Sequence, residues 1–121
     1  MKITGELVAA IRSSIHQHLE FLADAEAQRE YERDVPIADV PAELVCGWFD
    51  DCYHPESPAF QAAFTPQQRA VLAEFDDEFR AAIAELPEPL PRLSDLQPHH
   101  AWSRVNSAAA RALRGVSGHS D

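Results

Sequence analysis

Nowhere in this chain do apolar and polar residues alternate over five or more consecutive positions with β-branched enrichment. A strand that buries one face needs that period of two. The apolar residues return instead at intervals of three and four. Val8, Ile11, Ile15, Leu19 and Leu22 form one stripe, and Leu44, Val45, Trp48, Phe49 and Cys52 a second. Val71, Leu72, Phe75, Phe79, Ile83 and Leu86 form a third, and Trp102, Val105, Ala109 and Leu113 a fourth, with Ala112 beside it. Each stripe is one face of an amphipathic helix. The predicted class is all-α: a single-domain bundle of about four main helices, with a long N-terminal helix and a short extra helical turn. Twenty alanines against four glycines reinforce helix, because alanine loses no side-chain entropy there. With 121 residues and no internal repeat, the chain is read as one domain.

Local signals place the boundaries. Thr4 caps the first helix, whose apolar stripe thins after Leu22 and gives way to charge up to Arg33. A continuous helix to Arg33 would be roughly 45 Å long, more than the core requires. It therefore ends near Ala27, or its distal half projects and meets another chain, which makes a homodimer one expectation. Val35-Pro36 closes it, because the residue before proline avoids helical geometry. Residues 35–40 read as a loop. The second helix opens at Pro41, carries Gly47 as a point of close packing, and stops at His54-Pro55. Ser57-Pro58 opens the short turn over 58–63. Thr65-Pro66-Gln67-Gln68 has the pattern of a capping box with proline at the first helical position. Leu86 to Pro91 is a stiff connector with three prolines, and Pro98 opens the last helix. Gly115 is expected at its C′ position, with a frayed tail over 116–121.

Charge narrows the choice of partners. Twenty acidic residues against ten basic ones give a formal charge of −10, which disfavours nucleic acid and anionic membrane surfaces. No uncharged apolar run approaches a membrane span of roughly 18 residues. Glu6 and Arg12 interrupt any apolar run after Met1-Lys2, so no signal peptide is read and a cytoplasmic location is expected. Cys46 and Cys52 would point about 240° apart on one helix, so two reduced thiols are expected rather than a bridge. Nine of the ten basic residues are arginine, which with the alanine content suggests a GC-rich genome.

The acidity is uneven. Residues 34–68 hold Asp34, Asp39, Glu43, Asp50, Asp51 and Glu56 without a single Lys or Arg, and the same stretch holds Trp48, Phe49, Tyr53, Phe60 and Phe64. Carboxylates steer a basic partner and rings anchor it. The expected partner-binding residues are Glu43, Asp50, Asp51 and Glu56 as steering charges, with Trp48 and Tyr53 as anchors. A solvated acidic face over core rings is the plainer reading of the same pattern.

Chemistry-bearing patterns are sparse. Asp50-Asp51-Cys52-Tyr53-His54-Pro55-Glu56 gathers five possible metal ligands in seven residues, with Asp50 and His54 four apart. There is no Glu-x-x-His, and neither His16 nor the His99-His100 pair is fixed relative to this cluster, so no metal site and no cofactor are expected. Gly-x-Ser-x-Gly and His-Glu-x-x-His are absent, and the four glycines are too scattered for a phosphate loop. No catalytic residue is assigned and no enzyme is expected. The functional expectation is a small acidic bacterial protein-binding module, an immunity or antitoxin-like inhibitor of a basic protein. Two alternatives stand beside it: a metal-binding bundle or small enzyme using the Asp50–His54 cluster, and a self-associating structural protein.

Overall fold

The computed structural model describes residues 3–117. Seven α-helices and one π-helical segment make up the fold: α1 Gly5–Ala23, α2 Ala25–Asp34, α3 Val40–Cys46, the π segment Gly47–Cys52, α4 Pro58–Ala63, α5 Pro66–Glu85, α6 Leu93–Leu96 and α7 His100–Ser117. No strand occurs among the described residues, and no helix is long and apolar enough to cross a membrane. The all-α bundle is therefore as expected. Helix α7 lies between α1 and α5, while α4, α3 and the π segment pack on α1. Ala101, Ala108, Ala109 and Ala112 are all buried on α7. Such small side chains let two long neighbours approach one helix from different sides.

The capping residues act as read. Thr4, Ser57 and Thr65 each accept a backbone N–H from the first turn that follows, and Gln68 completes the box by accepting the Thr65 N–H at 2.9 Å. Several boundaries differ from expectation, among them the start of the last helix, which begins at His100 with Pro98 in the turn before it. The long N-terminal helix breaks at Asp24, which closes α1 and caps α2 by accepting from the Ala27 N–H at 3.0 Å. Its distal half does not project. Gln28 is fully buried and donates to the carbonyls of Phe21 and Leu22 at the end of α1. Asn106 of α7 adds a further bond to Leu22 at 2.6 Å. Side chains thus satisfy the carbonyls that the break frees.

Gly115 is not a terminal cap. The helix runs on to Ser117, and no glycine among the described residues has a positive φ. A Cβ at Gly115 would lie 2.9 Å from Val71 Cγ1, so the residue marks where α7 meets α5 closely. Val116, expected in the tail, is buried, and its carbonyl accepts from Gln68 Nε2. The remainder of the expected tail, 118–121, lies outside the described residues. The connector leads into α6, a four-residue helix that the periodicity did not reveal; its Leu93 and Leu96 enter the core.

Candidate functional site

The second helix begins one residue earlier than read, at Val40, where Asp39 caps it by accepting from the Ala42 N–H at 3.2 Å. At Gly47 it widens. The Tyr53 N–H bonds to the Trp48 carbonyl five residues back, a π-type closure. In an α-helix those residues would lie about 140° apart. Here their rings stack, with centroids 4.9 Å apart and planes inclined by 10°. Trp48, Phe49 and Cys52 of the expected face all pack on the core, and the widened turn adds Tyr53 to them.

The widened turn sorts the expected site residues. Trp48 is fully buried: it meets Phe75 edge-on, and its indole Nε1 donates to Asp76 Oδ1 at 3.0 Å. It is a core residue, not an exposed anchor. Tyr53 is half-buried between Trp48 and Phe60. Burial raises its phenol's pKa, and Asp76 and Asp77 raise it further. Glu43, Asp50, Asp51 and Glu56 are all exposed, and of these Glu43 and Asp51 line a common groove. Glu56 lies 3.9 Å from the His54 ring, and Asp50 stands beside Cys46.

Glu43 and Asp51 do converge. Together with Asp39 they line a groove of about 470 Å³ between α1 and the α3–π unit. His18 and Phe21 come from α1, and Ala42, Cys46, Gly47 and Cys52 from the other wall. No Lys or Arg is among these residues. Glu43 accepts a bond from the Tyr31 hydroxyl at 3.0 Å, which fixes one carboxylate on the rim and raises the tyrosine's pKa. Phe21, held edge-on by Tyr31, supplies an aromatic surface. Asp51 and Cys52 also border a smaller groove of about 170 Å³ shared with Ile11, Ser14, His54 and Phe60.

His18 sits where the two walls of the larger groove touch. A Cβ on Gly47 would run into its ring, so glycine is what lets imidazole and backbone meet. The ring's Nε2 lies 2.8 Å from the Leu44 carbonyl. A carbonyl only accepts, so Nε2 carries the proton. Burial lowers the His18 pKa; the bond to Leu44 and the nearby Asp51 charge oppose that without reversing it. Cys46 and Cys52 are free thiols with raised pKa values, Cys52 chiefly through burial and Cys46 through desolvation and the charge of Asp50.

The cation-free character of residues 34–68 holds for the groove but not for the opposite side. There α5 brings in Arg80, which pairs with Asp76 at 2.8 Å and lies over the Phe49 ring at 4.9 Å. Arg69, also from α5, donates to the carbonyls of Gln61 and Phe64. Among the described residues no three His, Cys, Asp or Glu side chains are placed to hold a metal ion. Asp50 and His54, four apart in sequence, are separated by the π turn and the extended residue Tyr53.

No family model matches the chain, and neither the curated proteins nor the solved structures compared with it include a significant match.

Of the residues lining the groove, only Glu43 and Asp51 were among the expected site residues. His18 stood at the border of the first apolar stripe, and the close packing expected at Gly47 was the signal that something would lie against it. Asp39 was counted among the acids, and the Asp39-Val40-Pro41 sequence marks it as a helix cap. Phe21 carried no signal, because it lies beside the stripe and the break at Asp24 is what turns Tyr31 against it.

Proposed function

We propose that this protein is a binding module for a basic protein, an inhibitor of immunity-protein or antitoxin character, and that the groove between α1 and the α3–π unit receives a cationic side chain of that partner. One observation carries the reading: three carboxylates, Asp39, Glu43 and Asp51, border a groove whose lining includes Phe21 and Ala42 and contains no Lys or Arg. An arginine or lysine has a matching build, with an apolar stem to lie along Phe21 and Ala42 and a charged head for the carboxylates. The net charge of −10 adds long-range attraction that speeds encounter.

The test is affinity capture from the native lysate with the wild-type chain and with a variant carrying Asp39→Lys, Glu43→Lys and Asp51→Lys. The expected result is a basic protein retained by the wild type and lost from the variant, whose binding is then reconstituted with purified components. The opposing control reverses Glu56 and Glu88, neither of which lines the groove, and retains the partner. Equal loss in both variants, or capture indifferent to the groove charges, overturns the reading.

A further inference from the structure

We propose that His18 is the proton-sensitive element of this groove: neutral, it offers Nδ1 as a hydrogen-bond acceptor to a docked guanidinium or ammonium group, and protonated, it places its own positive charge in the groove and drives that group out. The proposal rests on the cationic-partner reading above.

The geometry supplies the argument. With Nε2–H committed to the Leu44 carbonyl, the neutral ring has one remaining polar atom, Nδ1. Among the described residues Nδ1 has no hydrogen-bond partner, and it is not among the polar atoms sealed from solvent without one. The ring lines the groove alongside the carboxylates that would attract a cation. An acceptor beside carboxylates is suited to an N–H donor that carries charge. Adding a proton to Nδ1 turns that acceptor into a donor and a cation, reversing its interaction with the same ligand. The Leu44 bond survives protonation, because Nε2 donates in both states, so the switch requires no rearrangement of the ring.

The surroundings of His18 favour such a linkage. From α3 and its cap it faces Asp39, Glu43 and Cys46, and from the π segment Asp51 and Cys52. No other charged residue of α1, and none of α2, α4 or α7, lines the groove. The thiols stay neutral at and below pH 7.5 because their pKa values are raised. His18 supplies the imidazole that lines the groove, so it is the group there that an added proton turns into a cation. Linkage is reciprocal: if a proton on His18 weakens cation binding, a bound cation must lower the proton affinity of His18 by the same factor.

The experiment uses the full chain and a capped hexa-arginine peptide as probe, at constant low ionic strength. NMR follows the His18 ring and the backbone amides as pH falls from 7.5 to 5.0. The expected result is peptide-induced shifts centred on Phe21, Ala42 and Gly47. The peptide Kd should rise, by no more than tenfold per pH unit, as the pH falls from the His18 pKa of the free protein to that of the complex, and that pKa should be lower with peptide than without. His99 and His100, remote from the groove, should show no comparable change. A His18→Gln variant, which keeps an N–H for Leu44 and cannot titrate, should bind with little pH dependence. The wild-type ring titration stands on its own should that variant misfold. Peptide that binds the groove with pH-independent affinity and leaves the His18 pKa unmoved overturns this proposal and leaves the groove reading intact. Peptide that does not bind at pH 7.5, or binds away from the groove, overturns both.

Discussion

Replacing Gly47 by alanine sets two effects against each other. Alanine favours helix by about 1 kcal/mol over glycine. The added methyl, however, collides with the His18 ring, which is held by Leu44 and cannot swing away without losing that bond. Overpacking of this kind costs about 1–3 kcal/mol, so Gly47→Ala should be net destabilising by urea titration, with an altered His18 resonance. His18 itself links stability to pH. Its folded pKa lies below the ordinary 6.5, so between the two values the unfolded chain binds more protons. Stability is therefore highest above about pH 6.5 and falls as the pH drops toward the folded value. Urea midpoints measured from pH 8 to 5 should show this decline, and His18→Gln should flatten part of it.

At the scale of elements, the joint between α1 and α2 is held by side chains rather than by backbone alone. Gln28 is fully buried, donates to Phe21 and Leu22, and accepts from Gln97 of the segment after α6. Leucine has similar bulk but supplies no partners. Gln28→Leu should destabilise the fold by about 1–3 kcal/mol, the cost of carbonyls left without donors, as measured by chemical denaturation. Hydrogen exchange should show the loss concentrated in α2, because Asn106 still holds the end of α1. The π segment has a comparable logic. Its extra residue per turn lets Trp48 enter the core, where Asp76 receives its N–H and Arg80 balances Asp76, while Asp51 stays on the groove side.

For the whole molecule, a charge of −10 on 121 residues makes self-repulsion a global term. Raising salt from 10 to 150 mM shortens the screening length from roughly 30 to 8 Å. The melting temperature should rise over this range at pH 7.5. A fall would mean that the attractive pairs, Arg104–Glu85 and Arg111–Glu78 among them, outweigh the repulsion. The same change in salt weakens steering of a basic partner, so stability and association rate should move in opposite directions.

The all-α class, the caps at Thr4, Ser57 and Thr65, the short helix over 58–63 and the core identity of Phe75, Phe79 and Trp102 were legible in the sequence. They depend on contacts between residues three or four apart, and on the fixed geometry of helix starts. The break at Asp24, the π closure after Gly47 and the short helix Leu93–Leu96 were not, because each is stabilised by partners far along the chain: Gln97 and Asn106 for the first, Asp76 and His18 for the second, the core for the third. The candidate groove belongs to the same class. Its carboxylates were visible as a run without cations, but the rings clustered among them, rather than the periodicity, put Trp48 among the expected anchors, and His18 was left out. Local sequence determines which segments become helices and which faces are apolar. Only the packing of α1 against the α3–π unit decides which charges share a groove, since that depends on a widened turn whose i to i+5 geometry is set by where a buried indole finds an acceptor.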